Sequence, residues 1–112
     1  MTVLEEDLSR TFAALADPTR RAIVARLAGG EATAGQLAEP FALTQQAISK
    51  HLKVLEQAGL ITRGQVAQRR PCRLRPDRLD AAAAWIERHR QEWAERYDRL
   101  DEHLASLRED HA

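Results

Sequence analysis

Ten residues in the middle of the chain, TQQAISKHLK, gather hydrogen-bonding groups and positive charge. Thr44, Gln45, Gln46, Ser49, Lys50, His51 and Lys53 offer two hydroxyls, two amides, an imidazole and two ammonium groups, with no carboxylate between them. That chemistry suits recognition better than bond cleavage. A Gln amide pairs bidentately with an adenine edge, Ser serves a base edge or a phosphate, and Lys neutralises phosphate. Arg63, Arg69 and Arg70 extend the set. His51 is open to two readings, a phosphate contact or packing beside a turn.

Net charge over the 112 residues is zero, but its distribution is uneven. Residues 1–43 sum to −2, residues 44–75 to +6 and residues 76–112 to −4. A polyanion meets the local field, because salt screens charges beyond about 8–10 Å. The basic middle third therefore keeps a nucleic-acid partner open despite the neutral total.

The elements that must position these groups follow from periodicity. Leu4, Leu8, Phe12 and Leu15 mark one helical stripe. Asp17-Pro18 ends that helix and starts the next, with Asp17 as cap and Pro18 in the first turn. Ile23, Val24 and Leu27 form the inner face of helix two, and Gly29-Gly30 closes it. Thr33 and Gln36 fit a capping box ahead of a short helix that Pro40 breaks. Phe41 and Leu43 are expected to plug the core from the turn. Thr44 then caps a helix whose inner stripe is Ile48, Leu52 and Leu55. Gly59 suits the left-handed position after that helix, with Leu60 folding back on Leu55.

From residue 60 the pattern changes. Leu60–Arg63 and Arg70–Arg75 read as two strands around Gln65–Arg69, with Cys72 and Leu74 inside and Arg73 and Arg75 outside. Pro71 lacks a donor, so its strand is expected at an edge. From Pro76 onward the chain reads as one long helix. Leu79, Ala83, Ile86, Trp93, Tyr97, Leu100, Leu104 and Leu107 keep a 3-4 spacing, interrupted by Arg90. A stripe with charged flanks wants a partner helix.

A short helix, a tight turn, an amphipathic helix and a hairpin describe a winged helix-turn-helix. The expected fold is mainly α, with a two-stranded β-wing and long N- and C-terminal dimerisation helices. One domain spans 1–112, with the helix-turn-helix at about 33–58, the wing at about 60–75 and the last helix at about 77–108. The second helix of such a unit enters the major groove with its N-terminal residues at the base edges.

The stretch LADPTRRAIVARLAGGEATAGQLAEPFALTQQAISKHLKVLEQAGLI resembles the winged-helix core of ArsR-type transcriptional repressors. ADPTRR and QxAISKHLKVLxxAGL carry the resemblance most specifically. RRPCRLRPDRLD and the Trp/Tyr-bearing tail resemble one branch of that family, and the match covers about residues 10–100. The resemblance implies a dimeric DNA-binding repressor joined through its first and last helices. Leu4, Leu8, Phe12, Ile86, Trp93, Tyr97, Leu100 and Leu104 would form that interface. Carried over by position, Gln45, Gln46, Ser49, Lys50 and His51 lie on the recognition helix, with Arg69 and Arg70 at the wing.

Many members of that family sense metals or arsenite. Their paired cysteines are missing from the short helix, which here reads GQLAEPF. A second family site on the last helix survives only as Glu87, His89 and His103, with Leu100 where another His would stand. A zinc site needs about four ligands, so no metal and no cofactor are expected. Cys72 is expected to be a small core residue; a redox switch would need exposure and a lowered pKa. No nucleophile elbow, phosphate-cradling Gly loop or H-E-x-x-H motif occurs, so no enzyme is expected.

The start, MTVLEEDLSR, lacks the apolar run of a signal peptide, and a single cysteine suits a reduced compartment. A cytoplasmic regulator is expected, with duplex DNA and a second copy of itself as partners and no membrane. Its operator would be an inverted repeat, and it would control its own promoter. Two alternatives share the fold: a repressor responsive to a metal or to an oxidant at Cys72, and a protein-binding module that has lost DNA binding.

Overall fold

Capping residues punctuate the chain where the sequence places them. The computed structural model describes the backbone of residues 3–64 and 70–110 and the side chains of 5–64 and 70–109. Helix α1 spans Val3–Leu15, with Glu5 and Glu6 in its first turn, where carboxylates oppose the positive end of the helix dipole. Helix α2 spans Pro18–Leu27. Asp17 caps it by accepting the Arg20 N–H at 3.0 Å, and Pro18 stands where no N–H partner is needed.

The arginines that follow join the two helices. Arg20 donates from Nε to the Ala14 carbonyl (2.6 Å) and from Nη2 to that of Ala13 (3.2 Å). Arg21 donates from Nη1 to Leu15 (2.7 Å). These carbonyls belong to the last turn of α1, where the helix runs out of donors of its own, although that of Ala13 also accepts the Ala16 N–H at 3.2 Å. The DPTRR segment thus starts one helix and caps the previous one.

Helix α3 spans Ala34–Ala38 behind a complete capping box: Gln36 N–H donates to Thr33 Oγ1, and Thr33 N–H to Gln36 Oε1. Pro40 does not end the helical path at once; a 3₁₀ turn runs over Glu39–Phe41. Ala42 then takes a left-handed φ of 54° and reverses the chain. Phe41 packs partly buried against the core as expected. Leu43 does not, remaining exposed after the reversal.

Helix α4 spans Gln45–Gln57, capped by Thr44 Oγ1, which accepts the Ala47 N–H at 3.1 Å. Ile48, Leu52 and Leu55 are fully buried, each contributing about 1.5–3 kcal/mol of apolar burial. Gly59 closes the helix at φ 78°. Leu60 N–H donates to Leu55 O and Gly59 N–H to Glu56 O, both at 3.0 Å, the paired bonds of a Schellman cap.

Strands β1, Ile61–Arg63, and β2, Cys72–Leu74, pair antiparallel, with Ile61 opposite Leu74 and Arg63 opposite Cys72. They are shorter than expected. Pro71 precedes β2 and contributes only its carbonyl, to Gly64 N–H at 2.8 Å. The expected open edge is covered at Cys72, because Ala32 bridges it on the far side with bonds of 2.7 and 3.2 Å. Cys72 is buried, Arg73 exposed and Leu74 half-buried, which matches the alternation read from sequence.

Helix α5 spans Pro76–Asp110. The chain divides into two compact units, Met1–Ala82 and Ala83–Ala112. The first holds the core built from Ile23, Leu27, Leu37, Ile48, Leu52, Leu55, Leu60, Ile61 and Cys72, with Leu79 packed on it. In the second, Ile86, Trp93, Tyr97, Leu100, Leu104 and Leu107 are all exposed along the helix. Architecture and topology are those of a winged helix-turn-helix. Among the described residues, no helix is long and apolar enough to cross a membrane.

Candidate nucleic-acid interface

The Thr44 cap decides what the start of α4 presents. It engages one N–H of the first turn and leaves the remaining ones directed beyond the helix end, where they favour anions. Gln45, Gln46, Lys50 and Lys53 are exposed on this helix, and Ser49 is half-buried. His51 is half-buried, with Nδ1 3.5 Å from Arg20 Nη1 and 3.8 Å from Asp17 Oδ2. Its Nδ1 is thus turned to the start of α2, in line with the packing reading. The Arg20 backbone N–H holds the Asp17 carboxyl below its usual range, and the charges of His51 and Arg20 lower it further.

The wing supplies arginines in unequal states. Arg73 is ion-paired with Glu31, so one outward cation of the basic segment is already neutralised. Arg70 is exposed. Arg63 is half-buried, with its Nε enclosed and its side chain set against the Cys72 thiol opposite it in the strand pair. Arg69 was expected at the wing tip and lies outside the described residues, as does the side chain of Leu4 from the α1 stripe.

The fold brings several of these groups together. Gln45 and Ser49 of α4, Arg63 and Arg70 of the wing, and Thr33 and Gln36 at the start of α3 line one polar cleft of about 560 Å³. Glu39 adds a carboxylate to the same wall. Lys53 and His51 are not among its lining residues. From sequence Thr33 and Gln36 read only as a capping box, and nothing in the local pattern singled out Glu39.

Of the residues read as dimer contacts, Leu8 is half-buried, while Phe12, Ile86, Trp93, Tyr97, Leu100 and Leu104 are exposed. The rings of Trp93 and Tyr97 lie 5.8 Å apart. On the same helix Glu87 accepts from Arg90 at 2.7 and 2.9 Å, which lowers its pKa. His89 stacks on Trp85 with centroids 4.1 Å apart and has Nδ1 2.8 Å from the Trp85 carbonyl. Among the described residues, no three His, Cys, Asp or Glu side chains gather as metal ligands. Burial pushes the Cys72 thiol up, against the opposing pull of Arg63 across the strand pair. A buried thiol of raised pKa reacts slowly.

Fold and site together define a winged helix-turn-helix transcriptional regulator. Residues 15–64 match a family model described as a helix-turn-helix domain. Over 79 residues the chain is 43% identical to the HTH-type transcriptional regulator Rv2034 of Mycobacterium tuberculosis, covering 70% of this chain and 74% of that one. It is 46% identical over 55 residues to the transcriptional repressor SdpR of Bacillus subtilis, covering 49% of this chain and 61% of the repressor. Among solved structures, the ArsR family transcriptional regulator RHA00566 superposes with a TM-score of 0.76 at 36% identity, covering 84% of this chain and 97% of that one. The chain belongs to the ArsR family of transcriptional regulators. Members of this class regulate by binding DNA and are not enzymes.

Proposed function

We propose that the protein is a homodimeric, cytoplasmic repressor that reads an inverted-repeat operator, its own promoter included. The chain would act as one winged helix-turn-helix domain, with the helix-turn-helix at about 33–58, the wing at about 60–75 and the dimerisation helix at about 77–108. The observation that carries the reading is the polar cleft, where amide and hydroxyl groups of α4 meet two arginines of the wing. Gln45, Gln46 and Ser49 face base edges, Thr44 and Lys50 stand at the groove wall, and Lys53, Arg63, Arg69 and Arg70 meet phosphates. His51 braces α4 against α2 beside them. Dimerisation through the exposed α5 stripe and the α1 residues Leu4, Leu8 and Phe12 would set half-sites about 34–36 Å apart, or a multiple of that.

Footprinting and binding titrations on the protein's own promoter test this. A protected palindrome and a steep fall in affinity with salt are expected. Gln46→Ala and Ser49→Ala should weaken operator binding more than binding to unrelated duplex, whereas Arg70→Ala should weaken both. A monomer by analytical ultracentrifugation, or no protected palindrome, would remove the corresponding part of the reading.

A further inference from the structure

We infer that Gly35 of α3 is a positioning residue for sequence reading: its bare Cα face holds the Gln45 amide in place at the start of α4, ready for one base. This rests on the DNA-binding reading and concerns how one of its side chains is set.

The observation is a close approach across the polar cleft, which Gly35 and Gln45 both line. A Cβ added to Gly35 would stand 3.2 Å from Gln45 Nε2, tighter than ordinary van der Waals contact. The next atom it would meet, Thr33 Oγ1, is 4.0 Å away. Backbone geometry gives no reason for glycine here. Gly35 lies in the first turn of α3 without a positive φ, where alanine is the better helix former. What the missing side chain provides is room, and the Gln45 amide occupies it.

The contact confines the amide without spending its chemistry. Thr33 and Gln36 commit their side-chain oxygens to each other's backbone N–H in the capping box. Among the described residues, the Gln45 amide has no hydrogen-bond partner. It therefore keeps a donor and an acceptor for a base edge, and adenine offers the matching pair. Immobilising a long side chain on binding costs roughly threefold to tenfold in affinity. A side chain already confined by its neighbour escapes part of that cost. A Cβ at position 35 would displace the amide by a few tenths of an ångström and remove the confinement.

The experiment is in vitro selection by the full-length protein from a random-sequence duplex library. Fluorescence anisotropy on the selected duplex and its single-base variants follows. The wild-type motif is expected to contain a position whose base preference Gln45→Ala abolishes. Gly35→Ala should relax the preference at that same position by roughly threefold to tenfold. It should leave the other positions, and affinity for an unrelated duplex, unchanged. Its urea midpoint should be no lower than that of wild type, so misfolding cannot imitate the loss. In a Gln45→Ala background, Gly35→Ala should add nothing to the change in base preference. If Gly35→Ala keeps the wild-type preference, or relaxes positions that Gln45→Ala leaves intact, the positioning role is refuted while DNA binding stands. The same holds if Gln45→Ala costs no base preference. If the wild-type protein selects no motif, the sequence-reading function fails and this assignment fails with it.

Discussion

Replacing Gly59 with alanine tests how the recognition helix is stopped. Gly59 sits at φ 78°, where an L-residue pays about 1–2 kcal/mol in steric strain. The added Cβ would also lie 3.2 Å from Arg78 Cζ and 3.3 Å from Nε. Arg78 must give way by a few tenths of an ångström, and it has commitments. Its Nη1 holds Asp7 Oδ1 at 2.9 Å and reaches the Ala58 carbonyl at 3.5 Å. More than a third of the Arg78 side chain is exposed, so disturbing that pair adds at most about 1 kcal/mol. The expected total is about 2 kcal/mol. Urea unfolding followed by far-UV circular dichroism, at one fixed protein concentration, would show the midpoint falling by about 1 M for an m-value of about 2 kcal/mol/M. In an Arg78→Ala background the contact share should vanish, leaving about 1–2 kcal/mol of backbone strain. Gly59→Asn should cost less than alanine, because Asn tolerates the left-handed region. An alanine variant as stable as the parent would refute the strained cap. An unchanged cost in the Arg78→Ala background would refute the role of the contact.

Other outcomes follow from the caps and the buried thiol. Thr44→Ala should destabilise by about 1 kcal/mol in the same urea assay and Thr44→Ser by far less, since only the hydroxyl serves Ala47. The lowered pKa of Asp17 stabilises the fold above the unfolded carboxylate range, and that contribution disappears as pH falls through the folded value. The stability difference between wild type and Asp17→Asn should therefore be constant near neutrality and change below about pH 4, as urea curves taken at successive pH values would show. Cys72, buried and with its thiol pushed up, should resist an aromatic disulfide reagent at mildly alkaline pH until the protein is unfolded. Rapid labelling of the native protein would contradict its burial.

Local chemistry was the most legible part of the chain. Asp17, Thr33, Thr44 and Gly59 are caps whose partners lie within a few residues, so sequence spacing alone locates them. The stripe Ile48, Leu52, Leu55 was equally clear, because one helix turn determines it. Leu43 misled because its apolar character says nothing about the left-handed turn at Ala42 just before it. Arg73 read as an outward cation and is one, but its neutralising partner Glu31 stands far away in sequence. Thr33, Gln36 and Glu39 joined the candidate site only through tertiary placement. The DPTRR segment lies between these cases. Its starting role was legible from Asp17 and Pro18, while the capping of α1 by Arg20 and Arg21 required knowing the angle between two helices.

The pair of hydrogen bonds between Ala32 and Cys72 has a consequence for the order of folding. They join residues forty positions apart and enclose α3, α4 and β1. Closing so long a loop costs chain entropy that local helix contacts do not, so this link should form after the helices have docked. On the way back out, it binds the wing to the connection before α3. The amides of Ala32 and Cys72 should then exchange with solvent together, in one cooperative opening. The wing opens as part of a closed ring of chain and not as a free hairpin.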